Sequence, residues 1–148
     1  MSPVQGVAVS QVCPAPADRV WRTLVDWRLH ERWMYRTRAR GGQGVGARVE
    51  AFTGVGPVGF TDHMEITAWV PATRESAGRC EVRHLGGLVR GRGRFDVLPL
   101  PDGRSRVVWV EWLELPLGAL GRLGWPLVRI PVSVLLRRSL RRLGRLAG

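Results

Sequence analysis

The sequence contains no lysine. All 23 of its basic residues are arginine, against 12 aspartates and glutamates, which gives a formal net charge of +11. Arginine without lysine, beside many glycines, alanines, valines and prolines, fits a GC-rich coding composition. The same charge suits an anionic partner: nucleic acid, a lipid head group or an acidic carrier protein. Nucleic-acid recognition needs a basic stripe with stacking aromatics, or a binding motif. The arginines instead run from Arg19 to Arg145 with neither, so no nucleic-acid partner is expected. Cysteine is scarce too. Cys13 and Cys80 form no disulfide framework and lack the paired spacing of a zinc site. They read as small buried apolar residues. No apolar run approaches the ~18 residues of a membrane span. Met1 to Val12 shows neither the charged start nor the apolar core of a signal peptide, so a cytoplasmic location is expected. Repeats and linkers are also missing.

What is present fits one domain over residues 1–148. A chain of 148 residues, 45% of them hydrophobic, can bury a proper core. Val4 to Val12 alternates apolar and polar residues and predicts a strand, closed by Cys13-Pro14-Ala15-Pro16. Pro16 and Asp18 suit a helix N-terminus, and Val20, Trp21, Leu24 and Val25 recur at helical spacing. A second short helix is predicted over about Arg28 to Met34. Gly41 to Gly46 reads as a flexible turn. A phosphate loop would need a following Lys-Ser/Thr and a strand-to-helix setting, and has neither. Strands are then predicted over Ala47 to Thr53, Gly59 to Val70, Arg79 to Leu85, Leu88 to Leu98 and Ser105 to Leu115. Their separators are short and rich in Gly and Pro, including Gly86-Gly87, which argues for an antiparallel meander. Pro116 ends the last strand. From Leu117 to Ala147 the pattern turns helical, with Pro126 and Pro131 inside it: one is expected to start the main helix and the other to kink it. The fold class is therefore α+β: a curved antiparallel sheet closed by a long C-terminal helix, with two short helices after the first strand.

That order resembles the START-like superfamily, also called SRPBCC, and within it the polyketide cyclase/dehydrase and lipid-transport branch. The resemblance is carried by Pro16, Val20, Trp21, Leu24, Asp26 and Trp33 at the opening. In the middle it rests on Asp62, Met64 and Trp69-Val70-Pro71, then on His84, Gly86, Val89, Arg90, Gly91, Gly93 and Phe95. Trp109, Glu111 and Pro116 carry it before a Leu/Arg helix. It spans nearly the whole chain and implies a helix-grip (Bet v 1-like) fold with an internal pocket. It names no ligand, since the superfamily includes aromatase/cyclases, lipid carriers, hormone receptors and co-chaperones. No catalytic motif of the family transfers residue by residue.

Strand alternation assigns the faces. Phe60, Asp62, Met64, Ile66 and Ala68 form the more apolar face of their strand and are turned inward. Arg79, Glu81 and Arg83 go to water, leaving Cys80, Val82 and His84 inside. Arg90, Arg92 and Arg94 share an outer face, so Val89, Gly91, Gly93, Phe95 and Val97 point in. Val107, Trp109, Glu111 and Leu113 follow. Asp62, His84 and Glu111 then fall on an apolar face, where a charge is costly unless paired. Each has an ordinary reading: a core or rim histidine, a glutamate holding a backbone N–H or Arg129, a solvated aspartate at the rim. Taken together, an imidazole near two carboxylates suits general acid/base chemistry, and these three are the candidate catalytic residues. One His with two carboxylates is also a metal-ligand set by type, but no spacing supports it, and neither metal nor cofactor is expected.

The candidate ligand-binding residues are Trp33, Tyr35, Phe60, Met64, Cys80, Phe95, Trp109, Trp125 and Val128. Aromatic walls suit flat apolar ligands, and Tyr35 is placed at the mouth. Trp21 and Trp27 are read as helix-to-sheet packing, and Gly54-Val55-Gly56-Pro57 as a flexible hairpin at the entrance. Ser105 and Ser139 lack a nucleophile elbow, which disfavours a Ser/His/Asp hydrolase. Three functions compete. The first is binding of a small apolar molecule (lipid, polyketide or similar metabolite) by a monomer or homodimer, in a cavity of roughly 300–1,000 Å³. The second is a polyketide cyclase, aromatase or dehydratase. The third is a membrane-surface or partner-binding module built on the basic C-terminal helix, against which the sheet already claims that helix's apolar face.

Overall fold

The computed structural model describes residues 4–86, 89–114 and 119–148. The sequence-based expectations at Met1–Pro3, Gly87, Leu88, Leu115, Pro116 and Leu117 lie outside these residues. The chain opens with strand β1 (Val4–Cys13) and helix α1 (Ala17–Leu24), then a 3₁₀ turn (Trp27–Leu29) and a short helix α2 (His30–Trp33). Strands β2 (Thr37–Gly41), β3 (Arg48–Val55), β4 (Val58–Val70), β5 (Gly78–Gly86), β6 (Val89–Pro99) and β7 (Ser105–Glu114) follow, and helix α3 (Ala119–Ala147) ends the chain. Pro16 caps α1 in extended conformation. The Asp26 carboxylate accepts from the Arg28 backbone N–H and so starts the 3₁₀ turn.

The seven strands form one curved antiparallel sheet in the order β1-β7-β6-β5-β4-β3-β2. Consecutive strands are neighbours except that β1 closes against β7, so β1 and β2 are the edges. Six strands are predicted from sequence. The seventh, β2, reads Thr-Arg-Ala-Arg-Gly and has too few apolar residues to signal itself. It is held by pairing along β3, from Thr37 opposite Thr53 to Gly41 opposite Val49.

The predicted face of β4 holds only as far as Ile66. A register shift between Ile66 and Ala68 sets Ala68 opposite Glu81 and Trp69 opposite Cys80. An extra residue in one strand reverses the alternation beyond it. Trp69, not Ala68, therefore packs on the core, edge-on to Trp21 at 5.2 Å between ring centroids.

Helix α3 runs unbroken through Pro126 and Pro131. Neither proline starts it, contrary to the sequence-based expectation. Each removes one backbone donor, so the carbonyls of Arg122 and Leu127 lose their usual intrahelical partners. The C-terminal half of α3 buries Leu140, Leu143 and Ala147 against β1 and α1. No described helix is long and apolar enough to cross a membrane. The outer face of the sheet carries the arginines predicted for it, several in ion pairs: Arg79 with Asp96, Arg83 with Glu65 and Arg92 with Glu81.

Candidate functional site

The concave face of the sheet, the segment from Trp27 to Met34 and the inner side of α3 enclose a cavity of about 230 Å³. Its walls are mainly apolar, formed by Val49, Met64, Val82, Phe95, Trp109 and Leu136 among others. It falls below the roughly 300–1,000 Å³ expected from sequence. Large aromatics occupy the space beside it: Trp33 meets Phe95 and Trp109 edge-on at 6.2 and 6.3 Å, and Phe95 lies 4.7 Å from Trp109. An apolar cavity of roughly 150 Å³ holds benzene, so this one has room for a ring with substituents.

Three strands bring the polar exceptions together. His84 on β5 pairs with Met64 on β4, which makes Asp62 its diagonal neighbour on the same face. The His84 Nδ1–H donates to both Asp62 oxygens, at 2.8 and 3.0 Å. Glu111 lies on β7, with β6 between it and His84. On β6, Gly91 stands opposite His84 and Gly93 opposite Glu111. A Cβ at Gly93 would sit 2.8 Å from Glu111 Oε1. The missing side chain lets Glu111 reach across β6, where its Oε2 accepts from His84 Nε2 at 3.1 Å. The Trp109 indole N–H donates to Glu111 Oε1 at 2.8 Å. The result is a continuous Asp62–His84–Glu111–Trp109 chain lining the cavity. The side chains are 14%, 5% and 15% exposed at Asp62, His84 and Glu111.

Burial opposes the charged imidazole at His84. Hydrogen bonds to Asp62 and Glu111, reinforced by the charges of both, outweigh that penalty and push its pKa up to about 10. His84 is therefore an imidazolium at neutral pH with both N–H groups engaged. His30, which also lines the cavity, is the opposite case. Burial pulls its pKa down to about 4, against a hydrogen bond from Nε2 to the Leu24 carbonyl at 2.8 Å. It is neutral, with its proton on Nε2 and a bare Nδ1. Burial raises the thiols of Cys13 and Cys80 to about 11 and 12, so neither is a nucleophile at neutral pH.

The other sequence-selected residues divide. Phe60, Met64, Cys80, Phe95 and Trp109 line the cavity together with Asp62, His84 and Glu111. Trp33, Tyr35, Trp125 and Val128 do not. Trp33 is fully buried behind Phe95 and Trp109, Tyr35 is exposed beneath the Arg36 guanidinium, Trp125 is buried away from this cavity, and Val128 is exposed on α3. Glu111 does not hold Arg129, which is exposed, and Asp62 is bound to His84 rather than solvated at a rim. Sequence reasoning missed Trp27, His30, Thr37, Val132 and Leu136 as lining residues. Val132 and Leu136 carry a usable signal, an apolar i, i+4 pair on the inner side of the helix. Trp27 carries none, because its indole N–H is tied to the Gly42 carbonyl at 2.7 Å while its ring borders the cavity. Among the described residues no group of three or more His, Cys, Asp or Glu is placed to hold a metal ion.

The same architecture recurs in solved structures. A protein of Thermus thermophilus is 20% identical, with a TM-score of 0.78 and 97% of each chain covered. The Zhui aromatase/cyclase of Streptomyces sp. R1128 is 18% identical, with a TM-score of 0.77 over 98% of this chain and 94% of that one. A START superfamily protein of Mycobacterium smegmatis is 12% identical, with a TM-score of 0.72 over 96% of each. At such identities the likeness shows the fold. No curated protein sequence matches. The family of polyketide cyclases/dehydrases and lipid-transport proteins matches residues 5–148. With the helix-grip fold and a match over almost its full length, the chain belongs to the polyketide cyclase/dehydrase and lipid-transport family of the START/SRPBCC superfamily.

Proposed function

We propose that this protein binds a small, largely apolar molecule whose polar end is a hydrogen-bond donor, a hydroxyl or an amine. The observation that carries this is the Asp62–His84–Glu111 chain in an otherwise apolar wall. Two carboxylates and one imidazolium sum to one negative charge, which attracts a donor and repels a ligand carboxylate. The bare Nδ1 of His30 is a second acceptor. Calorimetric titration tests the reading with 2-naphthol and 2-naphthoate, which share a ring system and differ in charge. The naphthol is expected to bind at least about tenfold more tightly, and Ala51→Phe, which fills the cavity, to abolish the binding. Equal affinity for the two, or binding that survives Ala51→Phe, would refute it.

The hydrogen-bonded chain also favours a second reading, a cyclase or dehydratase; one fold neighbour is named an aromatase/cyclase. With both nitrogens engaged, His84 has no lone pair to act as a base. In such a reaction it would give a proton or hold charge, and the base would be one of its carboxylate partners. Turnover of a poly-β-ketone mimic is then expected to fall on the order of a hundredfold in His84→Gln. Wild-type turnover in that variant would remove His84 from the chemistry.

A further inference from the structure

The N-terminal half of α3 carries an apolar face that is exposed among the described residues. Leu120, Leu123, Leu127, Ile130 and Val134 are 45% to 80% exposed. They recur in alternating steps of three and four residues. At about 3.6 residues per turn that places them on one stripe, opposite Val132, Leu136, Leu140 and Leu143, which face the cavity and the core. The sheet therefore claims only one of two apolar faces of this helix. A contiguous exposed apolar stripe on a folded domain marks an interaction surface.

Charge identifies the occupant. Helix α3 contains no Asp or Glu, and its arginines, from Arg122 to Arg145, are all exposed. None of them pairs with a carboxylate among the described residues, whereas the sheet's arginines frequently do. Arg137, Arg138, Arg141 and Arg145 prolong the outer stripe beyond Val134. A second copy of the chain would set these charges against their own kind. An anionic lipid surface complements both parts, taking leucines into the acyl boundary and arginines to its head groups.

We infer that the outer face of α3 docks this protein on anionic membranes. The test is flotation of the full-length protein with vesicles of phosphatidylcholine alone and of phosphatidylcholine mixed with phosphatidylglycerol. Binding is expected only to the anionic vesicles, and it should fade as salt rises. Leu123→Asp/Leu127→Asp changes two exposed positions and should lower the bound fraction at least about tenfold while leaving the thermal melt unchanged. Arg137→Gln/Arg138→Gln/Arg141→Gln leaves the apolar stripe intact and should weaken binding to the anionic vesicles. The inference is overturned if wild type ignores anionic vesicles, or if either variant binds like wild type. It is also overturned if the stripe proves to be covered by a second copy, seen as a dimer by light scattering that the leucine variant dissociates.

Discussion

Replacing His84 with leucine is expected to destabilise the fold by about 3–5 kcal/mol, the usual cost of stripping a buried ion pair of one partner. The variant leaves Asp62 and Glu111 facing each other, 14% and 15% exposed, with no cation between them. Neutralising the carboxylates as well, in Asp62→Asn/His84→Leu/Glu111→Gln, should recover most of the loss. Urea unfolding measures both variants. A His84→Leu cost below about 1 kcal/mol would show that the chain contributes little to stability.

The same residue shapes the pH profile. Folding raises the His84 pKa from 6.5 to about 10. The folded state therefore holds a proton that the unfolded chain has released. The stabilisation is fully present below pH 6.5 and is lost as pH rises toward 10, a loss on the order of a few kcal/mol. His30 acts in the other direction, because folding lowers its pKa from 6.5 to about 4. Its contribution is present above pH 6.5 and is lost as pH falls through 4. Wild type should therefore be most stable near pH 6.5, and His84→Leu should remove the alkaline slope. An unchanged slope between pH 7 and 10 would assign it to another group.

The second large effect is expected at Trp33. Trp33→Ala should cost about 3–5 kcal/mol in urea unfolding. The side chain is 0% exposed, and its ring lies 4.7 Å from His30 and edge-on to Phe95 and Trp109. Removing it leaves a hole behind two walls of the cavity, so ligand affinity should fall with stability. Trp33→Phe is expected to cost far less. It keeps a ring in place and removes an indole N–H that is buried without a hydrogen-bond partner. Equal losses in the two variants would mean that the tryptophan shape, not burial, sets the stability here.

Much of this was legible in the chain. The period-two alternation of β5, β6 and β7 put His84, Phe95, Trp109 and Glu111 on the inner face, where they lie. It failed at Thr67, because a bulge is a relation between two strands and leaves no mark on the pattern of one. β2 is silent in the sequence for a similar reason: its stability comes from pairing with β3, not from its own residues. Trp33 and Trp125 read as ligand contacts from sequence because they are aromatic and apolar. Composition does not distinguish a ring that walls a cavity from one that packs behind the wall, as Trp33 does, or is buried away from it, as Trp125 is.

Local pattern was enough for six of the seven strands, for the inner faces of β5, β6 and β7, and for the presence of three ionisable groups on an apolar surface. Local period and burial cost depend on near neighbours, and near neighbours are what a sequence displays. Tertiary structure alone joins Asp62, His84 and Glu111 into one hydrogen-bonded chain. That required the registers of four strands and a side-chain-free position on β6, at Gly93. It also decided the fate of the C-terminal helix. Both of its apolar faces are written in its leucines, but which one the sheet covers, and which one is left to solvent, follows from how the helix lies across β1 and α1.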